Sequence, residues 1–177
     1  MRLFLTLFAI GLLSVSCSKN RLGAIDIPEA VELDIDQDGT IDFEIVYIRA
    51  IEGDPIGNYD AVRMNIESRG NNQVLRKEDS FPIFLEDISV IQIEASSPYF
   101  WEVTNPSPGR STPIARIRTD YDEVTWEDEW QVLSLEEEDS YLIGCKLNQN
   151  DGGEIGFIEF SVDRQTGAFL LCKAGLL

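Results

Sequence analysis

One stretch carries the clearest chemistry in this chain: Asp34-Ile35-Asp36-Gln37-Asp38-Gly39-Thr40-Ile41-Asp42. Carboxylates at alternate positions, followed by a glycine, are what a hard cation needs. Calcium takes about six to eight oxygens at roughly 2.3 to 2.6 Å, and a curled backbone lets Asp34, Asp36 and Asp38 converge on one point. Gly39 permits the sharp turn that a side chain would obstruct. Thr40 would add its backbone carbonyl, and Asp42 a further carboxylate, directly or through water. Four carboxylates this close repel one another without a cation. The expectation is therefore a calcium site of Asp34, Asp36, Asp38, Thr40 and Asp42, with a structural job: pinning a hairpin. The bland alternative is an acidic turn.

The D-x-D-x-D-G spacing is that of an EF-hand loop, but the rest of that motif is missing. Its twelfth position should be a bidentate Glu and is Ile45, with Glu44 one step earlier. The flanks read as strands, not helices. The segment resembles the strand-loop-strand calcium loops of integrin-type propellers and thrombospondin repeats, here as a single copy.

The chain has no histidine. Serine-His-acid triads, Cys-His dyads and imidazole-based zinc or iron sites are excluded. Hydrolysis would have to use carboxylates, Lys, Tyr or a hard metal ion. With 14 basic and 32 acidic residues, the formal net charge is −18, which argues against nucleic acid and against docking on an anionic lipid face. The acids are densest from Asp120 to Asp139, where no Lys or Arg intervenes. That stretch is read as a solvated face that keeps the protein soluble, with an interface for cations or a basic partner as the alternative.

The N-terminus carries an address. Met1-Arg2 precedes an apolar run from Leu3 to Leu13, then Ser14-Val15-Ser16 and Cys17. The run would span about 16 Å as a helix, half a bilayer core, so it reads as an export signal and not as an anchor. It resembles a bacterial lipoprotein signal, with Ser14 at the usual aliphatic position and Leu13 one step before it. That resemblance implies a signal peptide over 1–16, an acylated Cys17 as the new N-terminus and a short polar tether over 17–24. Several acyl chains would anchor stably where one holds only marginally. Ser18, in place of a retention-type aspartate, points to the outer membrane. The implied location is the cell envelope, lipid-anchored at the outer membrane, periplasmic or surface-exposed.

The body of the chain, 25–177, is read as one all-β domain, an antiparallel β-sandwich of jelly-roll-like type with the calcium-loop hairpin near its N-terminus. Alternation marks strands at 30–35, 41–48 and 61–66, with Phe43, Ile45 and Tyr47 on one face and Val62, Met64 and Ile66 on another. Further strands are expected at 88–95, 99–103, 114–119, 140–147, 154–162 and 168–173. Gly, Pro, Asn and Asp clusters punctuate them, including Gly70-Asn71-Asn72. Residues 134–139 could form a single helical turn. Tyr141 to Leu147, then Gly156 to Val162 and Thr166-Gly167, resemble a late strand pair in exported bacterial β-sandwich proteins of unsettled function. That likeness implies fold and location only.

Cys145 and Cys172 are the remaining thiols. An oxidising compartment invites a disulfide between them. If the last strands form a meander, however, the two sit a strand apart, about 10 Å, beyond the roughly 7 Å a bridge allows. The alternative is two buried cysteines packing as small apolar residues.

Three functions compete. The first is an anchored, non-enzymatic envelope lipoprotein that binds or scaffolds. The second is a glycan-binding or glycan-cleaving module. Trp126 and Trp130 have the even spacing that would put both on one strand face for stacking on sugars. Glu32-Leu33-Asp34-Ile35-Asp36 also resembles the E-x-D-x-x-E strand of some sandwich-fold glycosidases, without its final Glu. The third is an accessory subunit of an envelope complex. Partners implied are the bilayer through Cys17 and a glycan or envelope protein.

Overall fold

The computed structural model describes residues 26–53, 58–78, 84–85, 87–105, 112–120, 129–134, 137–148 and 153–177. Cys17, Trp126 and the heart of the acidic stretch lie outside them. The strands are β1 (Val31–Leu33), β2 (Phe43–Gly53), β3 (Asn58–Ser68), β4 (Gln73–Lys77), β5 (Tyr99–Glu102), β6 (Thr112–Asp120), β7 (Gln131–Val132), β8 (Tyr141–Leu147), β9 (Glu154–Val162) and β10 (Phe169–Leu176). They form two five-stranded sheets, ordered β1-β2-β3-β6-β7 and β10-β9-β8-β4-β5. All pairings are antiparallel.

The two sheets make a β-sandwich, as the alternation implied. Consecutive strands pair within a sheet as β1-β2-β3, β4-β5, β6-β7 and β8-β9-β10. Between them the chain crosses sheets: β3 pairs β6 in the first sheet while the intervening β4 and β5 pair in the second.

The register explains the core. Direct partners across an antiparallel pair share a face. Leu33 lies opposite Phe43, Val31 opposite Ile45, and Ile45 opposite Ile66. These meet Val74, Ile143, Cys145, Ile158 and Phe160 of the other sheet in one buried cluster. Phe160 and Phe169 stack with centroids 4.9 Å apart. Burying side chains of this size contributes roughly 1.5–3 kcal/mol each.

A smaller cluster covers the outer face of the second sheet, where Leu75, Ile91 and Phe157 are buried with Leu85, Leu142 and Trp101 against them. Its cover includes a 3-10 turn at Ile88–Val90, not the strand expected over 88–95. The reason is local. The Asp87 side chain accepts from Ser89 N at 2.7 Å, and Ile91 N donates to Ile88 O. Such side-chain-to-backbone bonds offer the chain an alternative to a ladder. Near 134–139 the described residues likewise form no helix. No helix among the described residues is long and apolar enough to cross a membrane.

Candidate metal centre

The aspartate-rich loop joins β1 to β2, an antiparallel pair, so it is the strand-loop-strand hairpin the sequence suggested. Backbone hydrogen bonds close its base: Asp42 N donates to Leu33 O at 2.8 Å. Two residues take left-handed backbone, Gln37 at φ 62 and Gly39 at φ 88. Gly39 does so without the steric cost a Cβ carries. This curl turns amides toward the carboxylates. Gly39 N donates to Asp34 Oδ2 (2.9 Å), Asp38 N to Asp36 Oδ1 (3.1 Å) and Ile35 N to Asp42 Oδ2 (2.8 Å).

Carboxylate oxygens of Asp34, Asp36 and Asp42 lie within 4.8 Å of one another. Asp38 is not in that group. It turns back on the loop, where its Oδ1 accepts from Thr40 N at 2.7 Å. Thr40 is exposed in the turn. Glu44 forms an ion pair with Arg69. Asp42 is the fixed member: it is fully buried, and Asn72 Nδ2 donates to its Oδ1 at 3.0 Å.

Sequence reading missed Asn72. It had served only as turn punctuation beside Gly70, and a residue thirty positions from Asp42 has no local signal. In the fold it bridges the sheets, because its Oδ1 accepts from Asn148 N at 2.9 Å.

The donor set suits a hard cation. It is all oxygen, carries formal negative charge, and contains no sulfur or imidazole. One atom asks for such a partner: Asp34 Oδ1 is buried and accepts no hydrogen bond. A buried carboxylate oxygen left so is costly unless something positive approaches it.

The cysteines correct the candidate bridge. Both are free thiols, Cys145 buried on β8 and Cys172 exposed on β10. Strand β9 lies between them, the meander geometry that forbids a disulfide. Only Cys145 packs as a small apolar residue. Burial, with the Asp42 charge adding to it, pushes its thiol up to about 12.

Trp130 corrects the candidate stacking pair. It is 1% exposed and meets Tyr47 edge-on, centroids 5.8 Å apart and planes at 85°. It is core, not a platform for sugars, and Trp126 lies outside the described residues. Tyr47 donates its hydroxyl hydrogen to Gly167 O at 2.9 Å and accepts from Phe169 N at 3.3 Å, fastening the β9–β10 turn to the first sheet.

No protein-family model, curated protein or solved structure matches the chain.

Proposed function

We propose that the loop from Asp34 to Asp42 holds a structural calcium ion in a non-enzymatic lipoprotein of the cell envelope, anchored through an acylated Cys17, with a binding or scaffolding role. One observation carries the metal reading. Three carboxylates come within 4.8 Å of one another while a buried oxygen of Asp34 has no donor. Asp34, Asp36 and Asp42 would hold the ion, and backbone carbonyls or waters would complete its shell. The ion would supply positive charge where the fold gathers negative charge, and would fix the β1–β2 hairpin. The address rests on the N-terminal pattern of Arg2, the apolar run and Cys17. The non-enzymatic reading follows from the lack of histidine, which removes imidazole-based chemistry, and the burial of Trp130 argues against the sugar-stacking alternative.

The test is thermal unfolding of the protein released from its anchor, in calcium and in EDTA. A ligand at a hundred times its dissociation constant stabilises by about 2.7 kcal/mol. For a domain of this size that raises Tm by roughly 5–10 °C. Asp34→Ala and Asp36→Ala should each abolish the rise. Equal melting with and without calcium would remove the metal reading. For the address, Cys17→Ser should release the protein from the membrane fraction. An unchanged distribution would remove the anchor.

A further inference from the structure

Asn72 sits in the turn that carries the chain from β3 in one sheet to β4 in the other, and is 2% exposed. Its Nδ2 lies 3.0 Å from Asp42 Oδ1 and 3.3 Å from the Asp42 carbonyl oxygen. Its Oδ1 accepts from Asn148 N at 2.9 Å, one residue past the end of β8. Asp42 is thereby held from three sides: by Ile35 N on Oδ2, by Asn72 on Oδ1 and by Arg69 N on its carbonyl. The Asn148 side chain closes the same corner, donating to Asn71 O at 2.7 Å and to Gln73 Oε1 at 3.1 Å.

The chemistry of this contact is specific. A carboxylate only accepts and a backbone N–H only donates, so an amide between them has one orientation that satisfies both. A lysine or arginine in this place would also hold Asp42, but would cancel its charge. An amide orients the carboxylate without adding a charge of its own.

We propose that Asn72 is the positioning residue of the loop: it sets the cation affinity of Asp42 and ties occupancy of the site in the first sheet to the β8 end of the second. This rests on the cation reading above. Partners that orient a metal ligand are commonly worth 10- to 100-fold in affinity. Coupling is reciprocal, so a cation that steadies Asp42 also steadies the Asn148 amide that shares Asn72.

The experiment is calcium titration by calorimetry on the wild type and Asn72→Ala, with amide hydrogen exchange on both. The expected result is a dissociation constant roughly 10- to 100-fold weaker in Asn72→Ala. In the wild type, calcium should slow exchange at Asn148, while the Leu85 amide, bonded to Leu142 O at the other end of β8, stays unchanged. A buried polar deletion that is merely structural would lower Tm in EDTA yet leave the affinity of the folded protein alone. Equal dissociation constants would therefore overturn the proposal and leave the cation site standing. If Asn72→Ala does not fold, the wild type decides, and an Asn148 amide blind to calcium overturns it. If the wild type binds no calcium, the cation reading fails first and this one with it.

Discussion

Replacing Gly167 with alanine should be among the most damaging single-methyl changes in the molecule. Gly167 has φ +75, a left-handed conformation, and ends the turn between β9 and β10. Placing alanine there costs about 1–2 kcal/mol for the backbone alone. The methyl also has no room. A Cβ at Gly167 would lie 2.6 Å from Trp130 Cζ2 and closer still to Cε2 and Nε1. The indole cannot easily step aside, since it is buried and rests against Tyr47. Forcing extra volume into a packed core costs roughly 1–3 kcal/mol. Together these give roughly 2–5 kcal/mol, or about 5–20 °C in Tm for a domain of this size. Urea and thermal unfolding of Gly167→Ala measure the total, and the Trp130→Leu background separates its parts. With the indole gone, the alanine should cost only the backbone share of about 1–2 kcal/mol. A penalty that is equal in both backgrounds would refute the steric argument. A total below about 1 kcal/mol would refute the backbone one as well.

Two further outcomes concern buried polar groups. Tyr47→Phe removes the hydroxyl that serves both Gly167 O and Phe169 N, so it should cost about 1–3 kcal/mol in the urea midpoint at constant slope. Glu67 is buried on β3 directly across from Glu44, and burial raises its carboxyl above the usual range. A raised folded value means that the fold favours the protonated form, so stability falls as pH rises through that value. Glu67→Gln should accordingly stabilise the protein at neutral pH, and the gain should fade below about pH 4, where the wild-type carboxyl is protonated anyway. A gain independent of pH would point to packing instead.

Much of the fold was legible because several strands alternate over most of their length, although the β3–β6 and β9–β10 pairings each carry a register shift. Glu154–Val162 has the bounds that alternation assigned to it, and the faces of Phe43, Ile45, Val62, Met64 and Ile66 point inward as read. The failures have physical causes. β4 and β7 are five and two residues long, too short for alternation to register. The run from Ile88 to Ala95 has strand composition, yet Asp87 and Ser89 start a turn there, and only Ile91 and Ala95 of it pack onto the outer face of the second sheet, while Ile88 and Ile93 are exposed. Even spacing of Trp126 and Trp130 said nothing of depth, which depends on Tyr47 arriving from a distant strand. The loop itself announced three of its clustered acids by spacing. The departure of Asp38 from the cluster is set by a single hydrogen bond to Thr40 N, and Asn72 is brought in by the crossover between sheets. Neither has a local signature.

The two thiols on β8 and β10 give the molecule an internal clock. Thiolate, not thiol, attacks alkylating reagents, and Cys145 is both sealed in the core and held protonated up to about pH 12. Cys172 lies open on the last strand. In the native state a maleimide should therefore mark Cys172 at once and Cys145 only when the sandwich opens. The ratio of singly to doubly labelled protein, read over time by mass, then measures how often the two sheets part, under native conditions and without denaturant.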